Sequence, residues 1–300
     1  MIKKFLFKIS LYVLIVFTAC GMSVFLMSKS YFKNRVPIIK FRISNEFTKK
    51  REYSNVILGS SHAFYGLNSN IFGSNWINMA SPSQSLMEDF AIIRALSGVT
   101  RIKHIVLPFS FFSNYYCLYN TKIGGEKLRI YDYREIYNIK YNNEFSINEL
   151  VSLSSKITRE YFFWADKDGF DFQGNLNEVC QRKQIQITDA ELAYNRHCMD
   201  SSFEKINPCL DSIISYCNLN NIKLSLVVVP FTKKYCDKIA KTSFNSLLKR
   251  INEKYSVEFI DCRSFVRFNE EQVMFRDADH LSPCGRGYLS KYLSDRINKF

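Results

Sequence analysis

A chain of 300 residues, 47% hydrophobic and 15% aromatic, is long enough for one large domain or two small ones, and its composition excludes a disordered or fibrous protein. The net charge of +13 invites a nucleic-acid reading, but its distribution argues against one. The first 51 residues hold 11 of the 41 lysines and arginines and one acid, Glu46, while the other 249 residues carry only +3. No zinc-finger spacing, RNP-type aromatic motif or basic helix is found elsewhere, so no nucleic-acid partner is expected.

The basic residues flank an apolar run, Ile9 to Met27, of 19 residues without a charge, preceded by Lys3, Lys4 and Lys8. As a helix it would span about 29 Å, enough for a bilayer core. A cleaved signal peptide usually has a shorter apolar run and a small-x-small site. The run is therefore read as a signal anchor in the cytoplasmic membrane, crossing through residues 9–27, with residues 1–28 as anchor and 29–52 as a basic connecting segment. The stretch "FTAC" leaves lipid attachment at Cys20 as the alternative. Phe17 at its first position and the apolar run beyond Cys20 fit that alternative poorly.

Beyond residue 52, short apolar runs recur at Val56–Leu58, His104–Phe109, Leu224–Pro230 and Val257–Cys262. They are rich in Val and Ile and do not alternate, as strands covered on both faces do not. Helical patterns lie between them: Leu86, Phe90, Ile93 and Leu96 share one face, and Phe203–Leu219 and Lys234–Tyr255 read as helices. Near the end, Ser282 is placed as an N-cap and Pro283 as the first helical residue. Tyr288, Leu289, Tyr292, Leu293 and Ile297 form an apolar stripe beyond them. Strand–helix alternation predicts an α/β domain of three layers, with a parallel sheet whose ligands lie outside the strands' carboxyl ends. Residues 113–200 break the rhythm and read as an insertion over those ends. The scatter of nine cysteines reads as isolated thiols and not as a disulfide framework.

Two stretches carry possible chemistry. "GSSH", Gly59 to His62, ends the first strand. "DADHL", Asp277 to Leu281, precedes the last helix. A serine nucleophile needs a base within hydrogen-bond reach, and the base needs an orienting acid. His280 lies on a short loop with Asp277 three residues before it and Asp279 one before. Asp279 reads as a loop residue binding backbone N–H groups. His62 reads either as a support or substrate contact or as a solvated turn residue. His104, at the start of a strand, reads as structural, and His197 is a weaker catalytic candidate. Arg196 and Arg276 could meet an anionic substrate.

The two stretches together resemble the SGNH or GDSL hydrolase superfamily, which carries a Gly-x-Ser block near its start and an Asp-x-x-His block near its end. The resemblance brackets residues 53–300. It implies a flavodoxin-like α/β fold with Ser61 as nucleophile, His280 as base and Asp277 as orienting acid. Ser60 stands where the family usually has Asp. This Gly-Ser-Ser variant looks like membrane-anchored envelope acyltransferases and esterases, such as the D-alanyl transfer proteins. Two further blocks depart from the family pattern. In "NMASPSQS", Ser81 or Gln84 stands where an oxyanion donor belongs, and in "LPFSFFSN" the candidates are Ser110 and Asn114. The backbone N–H of Ser61 is the safest donor.

The resemblance implies no metal and no organic cofactor. Its partners would be an acylated small molecule or glycan and an envelope acyl-donor protein. The domain would lie on the extracytoplasmic side. The alternative reading is a non-catalytic envelope protein that keeps the fold for glycan binding or assembly.

Overall fold

A computed structural model describes residues 2–23, 53–121, 129–141, 190–197, 206–239, 243–265 and 271–298. The chain divides into two units, Met1–Ile43 with Lys122–Gly169, and Ser44–Thr121 with Phe170–Phe300.

In the first unit, helix α1 covers Ile2–Ser23, 22 residues of mean hydropathy 2.0. At 1.5 Å per residue it is about 33 Å long, so it can cross a bilayer. Its apolar side chains are exposed, Phe5, Tyr12 and Phe17 among them.

The second unit is built on a parallel sheet of five strands in the order β2-β1-β3-β4-β5. The strands are β1 (Asn55–Ile57), β2 (Trp76–Asn78), β3 (His104–Pro108), β4 (Lys223–Val228) and β5 (Glu258–Asp261). Every pairing is parallel. This is the flavodoxin-like order, whose direction of winding reverses between β1 and β3. The apolar runs explain the centre of the sheet. Val56, Ile57, Ile105, Val106, Leu107, Leu226 and Val227 are all at most 1% exposed, as strands covered on both faces must be.

In chain order the further helices are α2 (Ser61–Gly66), α3 (Ser69–Phe72), α4 (Leu86–Ser97), α5 (Ile130–Tyr137, in the first unit), α6 (Ala190–His197), α7 (Pro208–Leu219), α8 (Lys233–Ile239), α9 (Phe244–Tyr255), α10 (Glu271–Met274) and α11 (Pro283–Ile297). The expected helix over 203–219 begins at Pro208. There Asn207 accepts from the Cys209 N–H as N-cap, and Pro208 lacks the N–H that a helix's first turn cannot use. The single helix expected over 234–255 is two, α8 and α9, with Ser243 as the N-cap of the second. Serine side chains compete with helical backbone, and Ser243 marks the start of the second helix.

Strand β2 escaped the sequence reading because Trp76-Ile77-Asn78 is too short to register as an apolar run. The α4 stripe holds at Leu86, Ile93 and Leu96, but Phe90 is half-buried while Glu88 and Asp89 are buried. On α11, Leu289, Leu293 and Ile297 are buried as expected, whereas Tyr288 is 64% exposed. Cys284 is disulfide-bonded, which corrects the expectation of isolated thiols at that position. Cys117, Cys209, Cys217, Cys236 and Cys262 are thiols outside any disulfide. Most of the expected insertion over 113–200 lies outside the described residues.

Candidate active site

The site forms where β1 ends. Gly59 has φ +109°, a backbone conformation that L side chains rarely adopt, and it turns the chain sharply out of the strand. Its N–H donates to Asp89 Oδ1 at 2.8 Å. Ser60 is the extended N-cap of α2, and Ser61 is the first helical residue. First-turn N–H groups of a helix have no partner within it, so the helix itself does not use the Ser61 N–H.

The histidine arrives on a loop closed by an antiparallel bridge between Phe275 and Leu281, with the Arg276 N–H donating to the His280 carbonyl at 3.0 Å. Ser282 caps α11, accepting from the Gly285 N–H at 3.1 Å while its own hydroxyl donates to the Val273 carbonyl at 2.5 Å. A Cβ on Gly285 would fall 2.1 Å from the Met274 carbonyl oxygen, so only glycine lets α11 approach α10 this closely. Thr232, after β4, donates its hydroxyl to the Ala278 carbonyl at 2.7 Å and fixes the loop's tip.

These constraints bring Ser61, His280 and Asp277 into one hydrogen-bonded chain. Ser61 Oγ lies 2.9 Å from His280 Nε2. His280 Nδ1 lies 3.0 Å from each Asp277 oxygen. Asp277 Oδ1 also accepts the backbone N–H of His280 at 2.7 Å and of Asp279 at 3.1 Å. A carboxylate facing Nδ1 puts the ring proton there and leaves Nε2 to accept from the serine. Burial disfavours an imidazolium at His280. The Asp277 hydrogen bond and the charges of Asp279 and Asp277 outweigh it, with Arg276 opposing, and the pKa is raised above 6.5.

The backbone-binding role expected of Asp279 belongs to Asp277. Asp279 is 2% exposed, and its Oδ2 lies 3.4 Å from His62 Nε2 while its Oδ1 lies 3.6 Å from His280 Nδ1. The solvated-turn reading of His62 fails as well. Its ring is 4% exposed and stacks on His280, with centroids 4.9 Å apart and planes at 11°. Phe112 and Phe231 close its other sides at 5.1 and 5.3 Å. Tyr65, from α2, meets the His280 ring edge-on at 5.4 Å, and Arg276 lies over Tyr65 at 4.5 Å.

The proposed oxyanion residues are all buried, Ser81 and Ser110 held by their backbone N–H groups and Gln84 and Asn114 by their side chains. The Ser81 N–H donates to the Gly59 carbonyl at 3.1 Å. Gln84 Nε2 donates to Asp89 Oδ1 at 2.6 Å. The Ser110 N–H donates to Ser113 Oγ at 2.9 Å. Asn114 accepts from the Asn207 N–H through Oδ1 and from Asn207 Nδ2 through its carbonyl, which pins the start of α7. The side chains of Arg196 and His197, at the end of α6, lie outside the described part of the structure.

Asp89 was missed because a helical stripe reading assigns carboxylates to the solvent side. It is 2% exposed and joins the turn before the serine to the Gln84 loop. Burial pushes its carboxyl up to about 7, against the pull of its Gln84 and Gly59 hydrogen bonds. Among the described residues, His62, Asp279 and His280 could together offer metal ligands, their donor atoms lying within 4.8 Å of one another. A cation there would compete with the contacts that orient His280.

No family model and no curated protein matches the chain. Solved structures do. One is a GDSL-like lipase from Bacteroides thetaiotaomicron, 13% identical, matched over 89% of this chain and 98% of its own at a TM-score of 0.43. Another, from Bacteroides fragilis and proposed as an acylhydrolase, is 12% identical and matched over 84% and 94% at 0.42. At these values the functional reading rests on the geometry of the site itself.

Proposed function

We propose that this chain is a membrane-anchored serine esterase or O-acyltransferase that works on an acylated cell-envelope glycan or polymer through an acyl-enzyme on Ser61. The observation that carries this reading is the Ser61–His280–Asp277 chain, with Nε2 at 2.9 Å from the serine and Nδ1 at 3.0 Å from the carboxylate. His280 Nε2 takes the Ser61 proton as Oγ attacks the ester carbonyl. Asp277 holds the ring and offsets the imidazolium charge. The carbonyl oxygen, now an oxyanion, faces the Ser61 backbone N–H. Collapse breaks the ester C–O bond, and His280 returns its proton to the departing alcohol. Water or a sugar hydroxyl then gives its proton to Nε2 and attacks the acyl-enzyme, releasing acid or a new ester and restoring Ser61. The helix α1 tethers this site to a membrane, with the catalytic unit on the outer side of the cytoplasmic membrane.

A second reading has one observation in its favour. The side chains of Gln84 and Asn114 hold the scaffold at the places where an oxyanion donor was expected. A protein that kept the fold for glycan binding would show the same. A fluorophosphonate probe separates the two readings. The full chain in detergent should be labelled on Ser61, as read by peptide mass spectrometry, and turn over a small activated ester. A folded protein inert to both would overturn the esterase reading in favour of binding.

A further inference from the structure

The mechanism above leaves two buried polar residues unused, and both touch its base. Asp279 divides its oxygens, one toward His280 Nδ1 at 3.6 Å and one toward His62 Nε2 at 3.4 Å. His62 in turn lies with Nδ1 3.3 Å from Ser60 Oγ. The 3.4 Å contact is longer than a hydrogen bond, but an ionised carboxylate only accepts, so its charge favours the tautomer with the proton on the His62 nitrogen facing it. A neutral imidazole then has a bare Nδ1, which accepts from the Ser60 hydroxyl. Ser60, His62 and Asp279 thus form a second serine–histidine–aspartate series beside Ser61, His280 and Asp277. Its ring is turned the other way, with the serine on Nδ1 and the acid on Nε2.

We propose that His62 and Asp279 are positioning residues for His280: Asp279 is a second carboxylate on the catalytic Nδ1, and His62 is the buried donor that keeps it ionised and aimed there. An unpartnered carboxylate this deep would be driven toward its neutral form. The stacked rings fix the plane of His280, while Phe112 and Phe231 hold His62 from the other sides. Among the described residues, the charged and titratable groups facing His280 are Asp277, Asp279 and Arg276 from its own loop, and His62 and Tyr65 from α2. Of these, the two carboxylates favour the imidazolium that forms when Ser61 attacks.

This role rests on the esterase reading, but its test does not. The chain has four histidines, so selective ring labelling allows NMR titration of the full chain in detergent without turnover. Asp279→Asn should move the His280 midpoint to lower pH, as should His62→Ala, whereas His62→Gln should keep most of the native midpoint because its amide can still donate to Asp279. If the esterase reading holds, the acid limb of kcat/KM should move down with the NMR midpoint and the plateau should fall on the order of 10- to 100-fold. Asp279→Asn should also cost more in an Asp277→Asn background than alone, because Asp279 is then the remaining carboxylate on Nδ1. A His280 midpoint unchanged in folded Asp279→Asn would overturn the proposal. So would His62→Gln and His62→Ala shifting it equally. If the midpoints move as expected but neither probe nor ester reacts, the pairing stands and the esterase reading fails.

Discussion

At both ends of the parallel sheet the chain joins a serine, a histidine and a carboxylate, but it joins them in different orders. At the carboxyl end His280 stands between Ser61 and Asp277. At the other end His104, the first residue of β3, has Nε2 2.8 Å from Ser225 Oγ, and Ser225 donates to Glu258 Oε2 at 2.6 Å. There the serine stands in the middle. Its proton is already given to the carboxylate, so His104 must donate to the serine and cannot take a proton from it. Lys223, 3.5 Å from Glu258, and the Trp76 ring, 5.3 Å from His104, flank this group, which opens to solvent on the side of Lys223 and Glu258. Ser225 is 0% exposed, whereas Ser61 is half-buried on a helix end. The three residue types do not make a nucleophile. Their order, and the loops at the strands' carboxyl ends, do.

The largest effect that would break this comparison is a crossed pair of serine variants. Ser61→Ala should lower ester turnover by roughly 10⁴-fold or more, and abolish probe labelling, with no loss of stability. Ser225→Ala should leave turnover per folded molecule unchanged and destabilise the fold by about 1–3 kcal/mol, since it strands the His104 N–H and removes a donor from Glu258. Activity assays and urea unfolding of both variants check this. A Ser225→Ala protein that folds normally and loses its turnover would erase the distinction between the two ends.

The sequence made one end far more legible than the other. "GSSH" and "DADHL" are local signals, and the Ser282-Pro283 cap could be read directly because capping depends on neighbouring residues. The parallel sheet was legible from unalternating apolar runs. What could not be read was anything that depends on a partner distant in sequence. Val106, Ser225 and Glu258 come into register only once the strands pair. Asp89 reads as a solvent-facing residue of α4 until Gly59 is placed against it. Asp279 read as a loop residue and His62 as either a support or a turn residue, because stacking of residues 62 and 280 is a tertiary fact with no local signature. Strand β2 was lost for the opposite reason: three residues give no periodicity to detect.

A smaller effect separates the two ends by pH. Asp89 supports the turn before Ser61, and burial raises its carboxyl from 3.8 to about 7. Between those values the folded protein holds a proton that the unfolded chain has released. Stability from this group is therefore present below about pH 4 and lost as pH rises toward 7. Asp89→Asn keeps an acceptor for the Gly59 N–H without the titration, so it should flatten the fall in stability over this range. Unfolding midpoints from pH 4.5 to 7.5 measure the slope. A slope unchanged in the variant would mean that Asp89 is ionised throughout.

The smallest expected effect has the opposite sign and comes from the opposite end. Burial lowers His104 from 6.5 to about 4, with the charge of Lys223 adding to it and Glu258 opposing. Between those values the unfolded chain holds the extra proton. The stability contributed by the neutral ring is complete above about pH 6.5 and lost as pH falls toward 4. Over the same window Asp89 acts in the other direction, so the native protein shows only the difference between the two. His104→Gln can keep a donor near Ser225 while removing the titration. It should therefore uncover the Asp89 slope, so that stability falls more steeply from pH 4.5 to 6.5 than in the native chain. The double variant Asp89→Asn/His104→Gln should be nearly flat, because the two groups lie in separate clusters and their effects should add. If His104→Gln instead left the slope unchanged or made stability fall less steeply over that window, His104 would be charged in the folded protein, and the cluster at the start of β3 would be an ion pair in place of the neutral ring described above.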